Sequence, residues 1–91
     1  MSTSELRTMI SDLCPSIGFT MVPTLEDNSG WTLNAFTDIA NVVKVWYYHM
    51  PVVKDVHFRV VSEVQHADLL ILNASDVAHK VVELLTTQTL N

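Results

Sequence analysis

Apolar residues recur at helical spacing in three stretches of this chain and alternate with polar ones in the stretches between. The first stripe is Leu6, Met9, Ile10 and Leu13, preceded by Ser2 and Glu5 at capping-box spacing and ended by Pro15. The last carries Val77, Val81, Leu84 and Leu85 on one face, with Ser75 suited to its N-cap. The strongest lies mid-chain, in residues 37–51. There Ile39, Val42, Val43, Trp46, Tyr47 and Met50 recur at i, i+3, i+4, i+7, i+8 and i+11, one face of an α-helix. Thr37 suits its N-cap, Asp38 its first turn, and Pro51 its end. This reading buries Trp46, leaves Tyr48 off the buried stripe, and delivers His49 at the helix exit.

Between these stretches the period is two. Phe19, Met21 and Leu25 alternate with Thr20 and Thr24, and Pro23 places that strand at an edge or a bulge. Glu26-Asp27-Asn28-Ser29-Gly30 is turn chemistry, after which Trp31, Leu33 and Ala35 resume the alternation as the second arm of a hairpin. Val56, Phe58, Val60 and Val64 alternate with His57, Arg59 and Glu63. After the short connection Gln65-His66-Ala67-Asp68, the unbroken apolar run 69–72 reads as a more buried strand. Residues 86–91 are polar and expected to fray. The element order is then α-β-β-α-β-β-α, an α+β domain with a four-stranded antiparallel sheet and helices on one face. Residues 33–40 also align with 72–78 with one deletion, which fits an internal repeat or the general likeness of strand-to-helix junctions.

The totals narrow the class. Ninety-one residues, 48% of them hydrophobic, make one domain (1–91) with one modest core. Only 16% are charged, a level that favours burial of some surface against another subunit, and a homodimer is expected. A net charge of −5 argues against nucleic acid as a partner. The single cysteine, Cys14, excludes an internal disulfide and fits a reducing compartment. With no apolar run of membrane-spanning length and no signal-peptide pattern at the N-terminus, the expected location is the cytoplasm, with no membrane partner.

That element order, with His49-Met50-Pro51 closing the middle helix and Gly18-Phe19 entering the first strand, resembles the pterin-4a-carbinolamine dehydratase family over nearly the whole chain. The resemblance implies a site in which His49 and Pro51 match the family's His-x-Pro signature, His66 lies within one residue of a further His, and Asp76 matches an Asp near the last helix. Met50 stands where a second imidazole or its substitute belongs, Val45 at an acidic position, and Val52-Val53 in place of an acidic-aromatic pair. Dehydration needs groups that titrate near neutral pH, and losing one typically costs about 10²–10⁴-fold in rate. The resemblance therefore implies vestigial pterin-site positions at His49, Met50, Pro51, His66 and Asp76, and no catalytic residues.

Each of these residues also has a plainer reading. His49 fits a last-turn cation, His66 a turn residue, Asp76 a first-turn acid, and Met50 with Trp46-Tyr47 core or interface. His57 and His79 fall on polar faces, and Cys14 beside Pro15 reads as packed. No two histidines are spaced i, i+4 on one helix, so no metal or other cofactor is expected. Two functions follow from the resemblance. One is a non-catalytic, protein-binding relative, similar to the carboxysome-associated group regarded as Rubisco assembly factors. The other is a working 4a-hydroxytetrahydropterin dehydratase relying on His49, His66 and Asp76. The aliphatic middle of the site favours the first.

Overall fold

The computed structural model describes residues 2–21, 30–38, 41–50 and 55–86. Helix α1 (Thr3–Leu13) is followed by five strands, β1 (Gly18–Met21), β2 (Gly30–Asp38), β3 (Asn41–Met50), β4 (Asp55–Ser62) and β5 (Ala67–Ile71), and then by helix α2 (Ala74–Thr86). The strands form one antiparallel sheet in the order β1-β2-β3-β4-β5, so each pairs only with its neighbours in the chain. The α+β class stands; the expected four strands and middle helix do not.

The stretch read as the central helix is the central strand. Val42, Val43, Val45, Trp46, Tyr47 and Tyr48 are all β-branched or aromatic, side chains that lose rotamer freedom in a helix and pack well on a pleated surface. Apolar residues on both faces satisfied the helical and the two-residue period alike. Bounded by β2 and β4, the segment gains a backbone ladder on each side. Thr37 is consequently a residue of β2 rather than a cap, and Ile39 lies outside the described residues. The proposed repeat also fails, because residues 33–38 belong to a strand whereas Ala74 begins a helix.

The register sorts the sheet into two faces. Phe19, Ala35, Val43, Ser62 and Ala67 form one rung across the sheet, and Leu33, Val45, Val60 and Leu69 form the next. A third rung, Trp31, Tyr47, Phe58 and Ile71, holds an aromatic cluster: Trp31 stacks on Tyr47 at 5.1 Å between centroids, and Phe58 meets Tyr47 at 5.2 Å. Both helices lie on this face. They contribute Leu6 and Ile10 from α1 and Val77, Ala78, Val81, Leu84 and Leu85 from α2, all buried.

Local signals fix the helix ends. Ser2 accepts a hydrogen bond from the Glu5 backbone N–H at 3.2 Å, as its spacing predicts. The α2 N-cap is Asn73 rather than Ser75: its Oδ1 accepts from the backbone N–H groups of Ser75 (2.8 Å) and Asp76 (3.2 Å). At the other end of α2, Asn41 Nδ2 donates to the Leu85 carbonyl at 3.3 Å, tying the start of β3 to the last turn of the helix.

Candidate functional site

The opposite face of the sheet carries neither helix. Its rungs are Thr20, Asn34, Lys44, Val61 and Asp68; then Thr32, Trp46, Arg59 and Leu70; then Gly30, Tyr48 and His57. Alternation puts Trp46 here, between Thr32 and Arg59, and not in the core where the helical reading placed it. Tyr47, its neighbour, takes the buried position. Tyr48 is 42% exposed, in keeping with its expected place off the buried stripe.

Arg59 organises the centre of this face. Its Cζ lies 5.5 Å from the Trp46 ring centroid, within range of a cation–π contact. Its Nε and Nη2 donate to Asp68 Oδ1 and Oδ2 at 3.0 and 2.8 Å, a bidentate pairing across β4 and β5. The hydrogen bonds from Arg59 hold the Asp68 carboxyl below the usual carboxylate range, and the same bonds raise Arg59. Lys44 pairs with Glu63 at 3.6 Å. The face therefore presents two aromatic rings, Trp46 and Tyr48, and the exposed Leu70 beside charges compensated in place.

Two of the residues assigned from the resemblance, His49 and His66, lie at opposite ends of β4. His49 and Met50 occupy the end of β3, opposite Val56 and Asp55, and not the end of a helix. Their side chains, and Pro51 entirely, lie outside the described residues. His66 sits in the β4–β5 turn with a positive φ of 53°, a conformation more common for His than for most residues. Residues 56–62 of β4 separate it from His49, about 20 Å at roughly 3.3 Å per residue. Asp76 is in the first turn of α2, where its backbone N–H is capped by Asn73. His79 Nδ1 lies 2.8 Å from the Ser75 carbonyl oxygen, and His57 is half-buried on the open face.

The place of Trp46 beside Arg59 on this face is what the sequence reading missed. The signal was present as the alternation of Val43, Val45 and Tyr47 with Lys44, Trp46 and Tyr48, in which Lys44 marks the solvated side.

Comparison with protein-family models, with curated proteins and with solved structures finds no match. These comparisons neither support nor oppose the dehydratase resemblance, and His49 and Met50 of its motif belong to a strand. Among the described residues, no helix is long and apolar enough to cross a membrane.

Proposed function

We propose that the chain is a protein-binding module that engages its partner through the open face of the sheet. The observation that carries this reading is the cluster of Trp46, Tyr48 and Leu70 around Arg59 on a face that neither described helix covers. Aromatic residues and arginine are the side chains most enriched where proteins bind one another. Their charges are compensated within the face, so a partner need not carry a strong opposite charge. Nothing in the geometry singles out Rubisco as that partner, or a 4a-hydroxytetrahydropterin as a ligand. We place the protein in the cytoplasm on its one cysteine.

The test is capture of partners from the native host with the full chain. A protein retained by the wild type and by Glu83→Ala, an exposed position on α2, should be lost with Trp46→Ala and with Arg59→Ala while both variants melt cooperatively. Equal retention by all four chains would place the binding surface elsewhere.

A further inference from the structure

The two edges of the sheet are finished differently. On the β1 side, the Arg7 guanidinium carbon lies 5.4 Å from the ring centroid of Phe19. Charge beside an edge strand is a usual means of discouraging edge-to-edge pairing. On β5 the one charge, Asp68, is already neutralised by Arg59 at 2.8 Å. From there the chain runs Leu69-Leu70-Ile71-Leu72, apolar on both faces. Leu70 is 64% exposed and Leu72 62%. Leu69 and Ile71 share the helix-side rungs but are only partly buried.

We propose that β5 pairs antiparallel with β5 of a second copy of this chain, about a two-fold axis at Leu70, joining two five-stranded sheets into one of ten. The occupant follows from self-complementarity. With the axis at Leu70, Leu69 faces Ile71 of the partner subunit on the helix side, and Leu70 faces its own counterpart on the open side. Asp68 then faces Leu72 of the partner subunit. Moving the axis to Asp68 would oppose two carboxylates, and like charges directly opposite destabilise a strand pair. Moving it to Ile71 would set Leu69 against Asn73 of the partner subunit. The Leu70 register sets Leu69, Leu70 and Ile71 against one another without a charge clash. An axis at Leu69 would instead set Leu70 against Asp68 of the partner subunit and Ile71 against the smaller Ala67 of the partner subunit. The net charge of −5 does not oppose the seam, since the Arg59–Asp68 pair leaves this edge neutral. An isologous contact of this kind is also the commonest route to a dimer.

One strand pair with its flanking leucines is a small interface, so dissociation in the micromolar range is expected. The seam takes up Leu70 but leaves Trp46 and Tyr48 of each copy accessible, and its failure would leave the protein-binding reading untouched.

Sedimentation of the full chain from about 1 to about 100 μM brackets that range. The mass of the wild type should rise from 10.2 kDa toward twice that value. Leu70→Lys should remain at the single-chain mass with an almost unchanged melting temperature, because its side chain is mostly exposed. Directly opposed residues in an antiparallel pair have Cα atoms about 4.5–5.5 Å apart, within disulfide reach. A Cys14→Ser, Leu70→Cys chain should therefore cross-link to itself under mild oxidation, and a Cys14→Ser, Val64→Cys chain, altered in the adjacent turn, should not. A wild type that stays monomeric at the highest concentration would overturn the proposal. So would a dimer that survives Leu70→Lys, or one whose Leu70→Cys chain fails to cross-link.

Discussion

The indole of Trp31 lies stacked on the phenol ring of Tyr47, their planes 14° apart, and Phe58 meets Trp31 edge-on at 6.2 Å between centroids. The three rings come from adjacent strands in one rung on the helix side, and all are buried. Ring pairs of this kind contribute beyond the area they bury.

Tyr47 is thus the aromatic residue of β3 on which stability depends. Tyr47→Ala should destabilise by about 3–5 kcal/mol, the range for emptying a large aromatic site. Trp46→Ala should cost about 1–2 kcal/mol, since Trp46 is partly exposed and packs against Arg59. Urea denaturation of both variants checks the register of β3, and a reversed order would mean the strand faces the other way.

The cap of α2 makes a second prediction. Asn73→Ala should lose about 1 kcal/mol, the usual cost of removing an N-cap acceptor. Ser75→Ala, at the second residue of the helix, should change stability by less than about 0.5 kcal/mol. Thermal melts of the two proteins separate the observed cap from the one the sequence suggested.

Gly30 opens β2 against the backbone of β3, and a Cβ there would run into the carbonyl oxygen of Tyr47. Backbone in a paired strand cannot turn aside as a flexible side chain can. Gly30→Ala should therefore destabilise, by about 1–3 kcal/mol as overpacking typically does, and chemical denaturation measures the loss.

Acid should reveal the Arg59–Asp68 pair. The folded-state pKa of Asp68 lies below its ordinary value, so whatever the pair contributes is fully present above about pH 3.9. It is lost only as pH falls below that, through the depressed pKa. Between neutrality and pH 5 the pair should add no pH dependence to stability. A carboxyl NMR titration should find the Asp68 midpoint below the ordinary carboxylate range, and Arg59→Ala should move it upward.

What could be read ahead of the structure depended on how cleanly each segment divided its faces. α1 and α2 interrupt their apolar stripes with polar residues, and β4 sets Phe58 and Val60 against His57 and Arg59, so one period fitted each. In β3 both faces are apolar, with Val43, Val45 and Tyr47 on one side and Val42, Trp46 and Tyr48 on the other, and the helical template matched by coincidence. Residues 69–71 do belong to a strand, β5, but not to a more buried one. An unbroken apolar run usually signals a strand covered on both faces, whereas Leu70 and Leu72 are uncovered at an edge. The candidate site inherited the β3 error. His49 was valued for its position at a helix exit, and the face that Trp46 shares with Tyr48 in the same segment went unread.

The layout of the chain also governs how the protein is made. Every strand pairs with its immediate neighbour, so the sheet can assemble strand by strand as it is synthesised. Much of its greasy side is covered by α2, the last described element to leave the ribosome. Until Val77, Val81, Leu84 and Leu85 arrive, Leu33, Val45 and Val60 have only α1 to shelter them. A nascent chain stalled, or a finished one clipped, just before Ala74 should thus be a ready substrate for chaperones and proteases even though all five strands are present.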